Sequence, residues 1–494
     1  MCSMKKLSVF LSLPLLLMLL GCVGPRYHTR VEEFVSFEAA YDTLTLGEPP
    51  AFWIEHNELD SLIALAFVRN PEVLTAWARV RQAAAAARIA TSSLFPSLSA
   101  SATASRSKIS GITTGVGTGT QGPSLQQPQT QQQFGDISGG TEHVNQFQSS
   151  FAAAYEVDLS TRLFRRRAAA VLDAKAARAD ARSMSITLAA TLTDSWLMLV
   201  AQRQTVDVLL EQLDVSERFV ELTELRFSQG LASALDVFQQ RQQTETVRGQ
   251  LALARGRVET FEHRIATLLG YVPTHELGVT VRNLPEAPEL RVGGVPSDLF
   301  EHRPDVRAAF LRLKAADTRA AAAVLDLLPS VRLSGNLFAD AQAIENIFEE
   351  WLWTLSASLS QPLFQGGRLV AGIRQADATA LAQYYSYIGT ALTALREVRD
   401  ALAQIRAQEK YLASLREQAD DAETALRLSR ERYVQGALPY LQVLTALQSL
   451  QQTRQNIVEA QRQLLAYHVQ LYRAVGGGFT NIAEEPQGKG ALDG

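Results

Sequence analysis

Arg226-Phe227-Ser228-Gln229-Gly230 returns 206 residues later as Arg432-Tyr433-Val434-Gln435-Gly436. The register between the two copies holds without a gap: Leu235 falls on Leu441, Val237 on Val443 and Gly270 on Gly476. In each copy a long polar–apolar segment runs into the glycine and another leaves it. A glycine that ends one helix just before the next begins is the sequence form of a helical hairpin. Pro439, just after Gly436, suits the first turn of the returning helix. The chain therefore reads as internally duplicated, with two long helical hairpins built alike.

The first long helix is expected from Thr161 to Gln229. Leu192, Leu199, Val206, Leu213, Val220 and Phe227 recur along it every seven residues, the spacing of a coiled-coil seam. At 1.5 Å per residue it would reach about 100 Å, far more than a globular domain needs. The returning helix runs to Leu269, with Val237, Leu251, Val258 and Ile265 on one track. The second copy repeats this with Val443, Leu450, Ile457, Leu464 and Leu471. Upstream, a helical pattern runs from Glu58 to Ser93 and stops at Pro96. Its counterpart is 297–328: Phe300, Pro304, Val306 and Pro329-Ser330 fall 233 residues after Phe67, Pro71, Val73 and Pro96-Ser97.

Four segments alternate with period two. Ser97–Ser105 and a stretch opening at Gln146 form the first pair. In the second, Phe147, Ser149, Phe151, Ala153, Tyr155 and Val157 share one face. Val331–Phe338 and Thr354–Gln361 form the later pair, with Trp351 and Trp353 where membrane-interface aromatics belong. Residues 106–145, rich in Gly, Ser, Thr, Gln and Pro, read as a surface loop. Gly115–Gly119 lacks the following helix that a phosphate-cradling loop requires. Each strand has one wet and one apolar face, and an open sheet edge is not viable in lipid, so the strands must close into a barrel. Four cannot close alone, since single-chain barrels start at about eight. Several chains must share the barrel, and a wet inner face makes it a pore.

Lys5 and Lys6 precede an apolar run from Leu7 to Leu20, too short for a comfortable membrane span and fitting a secretory leader. It ends Leu19-Leu20-Gly21-Cys22, which resembles a bacterial lipobox, so Cys22 is the expected lipidation site, with Met1 or Met4 as the start. The only cysteines are Cys2 and Cys22, which leaves the mature chain no internal disulfide and no cysteine metal site. The seven histidines have no metal-ligand spacing. No nucleophile elbow, Walker loop or isolated carboxylate pair stands out, so no catalytic or metal residue is expected, and no cofactor beyond the covalent lipid on Cys22. The net charge of −4, or −6 without Lys5 and Lys6, gives no reason to expect a nucleic-acid partner.

The expected organisation is a leader (1–21), an anchored tether (22–57), a first repeat of helix, two strands and helical hairpin (58–272), a Pro-rich linker (273–296), a second repeat (297–478) and a tail (479–494). This order resembles the TolC-like outer-membrane efflux proteins, in particular the lipidated outer-membrane factors of RND-type multidrug pumps. The residues carrying the resemblance are Leu19–Cys22, Pro96-Ser97, Tyr155–Leu159, Arg303–Ala309, Leu328–Ser330 and Gln361–Arg368, with the two hairpin repeats. The resemblance implies a mainly α fold with a small β part: a homotrimer with a twelve-stranded barrel in the bacterial outer membrane and an α-barrel tunnel in the periplasm. It also implies docking to a periplasmic adaptor and an inner-membrane transporter, and hairpin tips that open like an iris.

By that resemblance Leu441 lies where relatives place a narrow apolar ring. Gln442 and Thr445 are neutral where an acidic ring often sits, and Asp236 is the repeat-mate of Gln442. These four are the gate candidates, against the plainer reading that they pack the hairpin. The tips at Arg226 and Gly230, and at Arg432 and Gly436, are the candidates for adaptor contact. The plainer reading there is that both arginines bond helix C-terminal carbonyls. Arg165-Arg166-Arg167 is either a headgroup contact or a solvated helix start. The leading function is the exit duct of a tripartite small-molecule efflux pump. A type I protein-secretion duct and a non-channel scaffold lipoprotein are the alternatives, and an enzyme is the weakest reading.

Overall fold

The computed structural model describes residues 56–109, 142–275, 278–288, 303–347 and 351–477. Cys22, the tether, Gly115–Gly119 and the tail lie outside them. In chain order the elements are α1 (Asn57–Arg69), α2 (Pro71–Ser92), β1 (Ser97–Ile109), β2 (Glu142–Val157), α3 (Arg162–Ser228) and α4 (Ala234–Leu268). They continue as α5 (Pro304–Leu325), β3 (Ser330–Ala341), a 3₁₀ turn (Ile344–Asn346), β4 (Leu352–Ser360), α6 (Arg368–Val434) and α7 (Tyr440–Ala474). Two compact units result. One, helical, takes the described residues of 1–87, 168–321 and 373–494; the other, holding the strands, takes those of 88–167 and 322–372. The units cut across the two sequence halves.

In the helical unit α3 and α6 are each 67 residues long, and α4 and α7 are each 35. Every boundary of the second pair lies 206 residues after its counterpart. All four helices stop by the same device. Gly230, Gly270, Gly436 and Gly476 have φ of 73°, 76°, 74° and 96°. Beside each, an N–H reaches back five residues, as in Leu231 N to Arg226 O (2.8 Å) and Ala437 N to Arg432 O (2.9 Å). Glycine is the residue that takes this left-handed conformation without penalty. Gly270 has a second reason: a Cβ there would lie 2.7 Å from the Arg69 carbonyl oxygen.

The single helix expected over Glu58–Ser93 is two. Asn70 turns extended (ψ 125°) because it precedes Pro71, which disfavours helical backbone in the residue before it. Its Oδ1 accepts from Glu72 N (2.8 Å) and Val73 N (3.2 Å), capping α2. Its Nδ2 donates to the carbonyl of Leu268, the last residue of α4 (2.8 Å). In the second half Arg303, before Pro304, donates to Ala474 O, the last residue of α7 (2.9 Å). The largest core gathers Leu59, Trp196, Leu192, Leu199, Ile265 and Leu465 around the upper parts of α1, α3, α4 and α7. Residues 278–288, expected as linker, are pinned along α3: Arg203 donates to Val279 O (2.7 Å) and Arg282 pairs with Asp207 (3.1 Å).

In the strand unit the order is β1-β2-β3-β4, antiparallel throughout. β1 and β2 run longer than the sequence pattern suggested and take 106–109 and 142–145 from the expected loop. The register is unbroken, so cross-strand partners identify the faces. Leu98 pairs with Ala153, which pairs with Gly335, which pairs with Leu355. Ala100, Phe151, Leu337 and Trp353 form the next such row. Apart from Phe338 and its partner Leu352, the alternate rows are polar or small, as in Ser97, Ala154, Ser334 and Ser356. The apolar sets of all four strands thus fall on one face, with Leu98, Trp353, Leu355 and Leu359 more than 70% exposed. No layer of this chain's described residues covers that face, which is what a lipid-facing sheet requires.

Candidate functional site

The two tips share a backbone and differ in side chains. After Gly230, Ser233 opens α4 with a capping box: Asp236 N donates to Ser233 Oγ (3.2 Å) and Ser233 N to Asp236 Oδ2 (3.0 Å). Asp236 is half-buried and its carboxylate serves the helix start. After Gly436, Pro439 stands just before α7, one position earlier than expected, and brings no side-chain cap. Leu441, Gln442 and Thr445 are exposed on the first turns of α7. Leu441 is 57% exposed, and Thr445 Oγ1 donates to its carbonyl one turn back (2.9 Å). The structure therefore brings together Leu441, Gln442 and Thr445 and gives Asp236 a capping task.

The repeated arginines also part. Arg226 donates to Val434 O, the last residue of α6 (3.2 Å), and its guanidinium lies 4.5 Å from the Tyr433 ring centroid. It thus bonds a helix C-terminal carbonyl, but one belonging to the other hairpin. Arg432 is exposed and has no partner among the described residues. Tyr433 stacks edge-on against Tyr440 (5.4 Å), whose hydroxyl donates to Gln240 Oε1. Burial pushes the Tyr440 hydroxyl well above its ordinary value, so it acts as a fixed donor. In the strand unit Arg166 pairs with Asp326 (2.8 Å) and Arg167 donates to Thr91 (3.2 Å), so two of the three adjacent arginines are occupied within the protein.

Above the tip lies a feature that sequence reading missed. Gln212 Nε2 donates to Gln451 O (3.1 Å), Gln455 Nε2 to Gln212 Oε1 (3.1 Å), Gln243 Nε2 to Gln451 Oε1 (3.1 Å) and Gln448 Nε2 to Gln243 Oε1 (2.7 Å). Gln240 is fully buried and donates to Ser216 O (2.8 Å). This amide ladder joins α3 and α4 of the first hairpin to α7 of the second. The available signal was the spacing of Gln448, Gln451 and Gln455 along one helical face. The heptad track misleads here: Val206, Leu213 and Val220 are only half-buried and Phe227 is exposed, while Leu209, Gln212, Ser216, Phe219 and Thr223 are buried. A straight helix drifts about 20° per heptad, so a strict seven-residue track rotates out of the contact. Beside the ladder a groove of 710 Å³ runs between α3 and α6–α7, with Phe219, Leu426, Leu447 and Leu450 inside and Glu211, Arg427 and Glu431 at its rim. Among the described residues no group of three or more His, Cys, Asp or Glu is placed to hold a metal.

This arrangement of paired hairpins and a four-stranded sheet has close relatives. The outer-membrane channel OprN matches over 86% of this chain and 91% of its own, with 27% identity and a TM-score of 0.74. The pyoverdine export outer membrane protein OpmQ of Pseudomonas aeruginosa is 30% identical over 423 residues, 85% of each chain. The toluene efflux pump outer membrane protein TtgF of Pseudomonas putida is 30% identical over 345 residues, 69% of this chain and 72% of that one. By name these relatives are outer-membrane proteins of export or efflux systems. The family model for outer membrane efflux protein matches residues 62–271 and again 295–477. Matched in both halves and over most of its length, this chain belongs to the outer membrane efflux protein family.

Proposed function

We propose that this internally duplicated chain forms a homotrimer whose twelve strands close one outer-membrane barrel and whose hairpins form a periplasmic α-barrel. It is the exit duct of a tripartite pump, anchored by lipid on Cys22, and it docks on a periplasmic adaptor fed by an inner-membrane RND-type transporter. The observation that carries this reading is the shared apolar face of four strands whose outer edges, on β1 and β4, have no partner among the described residues. A scaffold needs no such sheet. Leu441, Gln442 and Thr445 form the periplasmic constriction, neutral in charge, and Arg432 at the exposed tip contacts the adaptor. Relatives named for pyoverdine export and for toluene efflux support small molecules as cargo. The test is a deletion strain in which accumulation of a fluorescent pump substrate and the secreted proteins are followed together. More retained dye with an unchanged secretome is expected; unchanged dye with a missing secreted protein would make this a protein-secretion duct.

A further inference from the structure

Charged side chains in the sheet follow the polar face, with two exceptions. Glu156, Arg332 and Asp340 all occupy rows shared with serine, glutamine or asparagine. Arg106 and Lys108 do not. The unbroken β1–β2 register puts them in phase with Leu98, Ala100, Ala102 and Ala104, on the apolar face. Ser105 and Ser107 take the polar-face positions beside them. A charge at mid-depth on the lipid face of a barrel is strongly unfavourable and becomes tolerable only near the interface. Arg106 and Lys108 lie two and four residues beyond the row of Ala104, Phe147 and Ala341, or about 7 and 14 Å farther along the strand. Phe147 sits on that row, and Phe151 and Trp353 share a row four residues, or about 13 Å, farther inside, where Phe151 stacks on Trp351 at 6.4 Å. This is the end of the sheet opposite the one that leads into α3 and α6, so in the outer membrane it faces the exterior. Both side chains are exposed and neither has a partner among the described residues.

We propose that Arg106 and Lys108 bind the phosphate of a phosphorylated glycolipid of the outer leaflet, just beyond the row of Phe147; this rests on the barrel reading above. An arginine offers a planar pair of donors and a lysine a mobile point charge, a combination that suits a phosphate held at a lipid surface. The opposite position on β2, beside Arg106, is the neutral Asn145, so the cations are not compensated within the strand pair. The test uses the full chain in phosphatidylcholine nanodiscs containing a diphosphoryl glycolipid, its dephosphorylated form, or phosphatidylglycerol, with bound lipid read by native mass spectrometry. At about fivefold for each basic side chain at a membrane surface, the wild type should retain the diphosphoryl lipid about thirtyfold over Arg106→Gln/Lys108→Gln. Dephosphorylation should abolish that difference. Equal retention by wild type and double variant overturns the site, and preferred retention of phosphatidylglycerol overturns its assignment to the glycolipid. A wild type that enters no nanodisc overturns the barrel reading itself, an outcome separate from the other two.

Discussion

Asn70 and Arg303 perform one task with different chemistry: each precedes a proline and holds the last carbonyl of a returning helix. Arg303 is 6% exposed and also bonds Asp305 (2.6 Å) and Glu397 (2.9 Å). Burial pushes the Asp305 carboxyl up, but its bonds to the Arg303 guanidinium win and hold it below the usual carboxylate range. Removing the cation strands two carboxylates, so Arg303→Ala should cost about 3–5 kcal/mol, against about 1–3 kcal/mol for Asn70→Ala. Denaturant unfolding of the two variants in detergent gives the order, and an equal cost would show that the carboxylates find water. His468 supplies a pH dependence. It is 1% exposed, neither ring nitrogen has a partner among the described residues, and burial pushes it down to about 4. The unfolded chain binds a proton near pH 6.5 that the folded chain refuses until about 4. Stability is therefore full above pH 6.5 and falls as pH drops through that window, by roughly 1.4 kcal/mol per unit at its steepest. Asp305 destabilises only at still lower pH, so His468→Leu should flatten the dependence above pH 4 and leave the more acidic limb.

Between elements, the contact joining the two hairpins changes character along its length. The upper part is apolar, built on Leu192, Leu199 and Leu465; the tip part is the amide ladder. Buried amides contribute modestly when paired and cost about 1–3 kcal/mol when orphaned. Gln451→Ala keeps the carbonyl that Gln212 bonds but would leave Gln243 Nε2 without its acceptor and Ser216 Oγ without its donor. Hydrogen exchange should then quicken in the tip halves of α3, α4 and α7 and stay unchanged around Trp196; a uniform increase would mean the ladder is not a separate unit. Most of the elements were legible in the sequence, because Gly caps and alternating strands are local signals: Gly230, Gly436 and the four strands fall where expected. What was not legible depends on three-dimensional phase. The break at Asn70 was signalled by Pro71, but the surrounding helical pattern masked it. The ladder was hidden because a glutamine facing a glutamine has the same spacing as a glutamine facing water. That Asp236 closes a capping box with Ser233 three residues earlier is likewise seen only in the structure.

For the whole molecule, the decisive property is which face of the sheet meets lipid, because it fixes where the pore lies. Leu355 and Ser356 are neighbours in β4, both exposed, and the register assigns them to opposite faces. An arginine at Leu355 would place a charge in the row of Leu98, Ala153 and Gly335, six residues inside the row of Phe147, at a cost of about 2–4 kcal/mol near the bilayer midplane. The same arginine at Ser356 would join Ser334 and Ala154 on the face that already carries Arg332 and Asp340. Leu355→Arg should therefore sharply reduce the amount of chain recovered in the outer membrane, and in the proposed trimer each copy would repeat the penalty. Ser356→Arg should assemble normally and show its effect only in conductance, where the added cations, three in the proposed trimer, would shift ion preference toward anions. Conductance in planar bilayers and recovery in outer-membrane fractions separate these effects. If Leu355→Arg assembled and Ser356→Arg did not, the faces would be inverted, Arg106 and Lys108 would lie on the lumen side, and the proposed lipid site would fall with the pore.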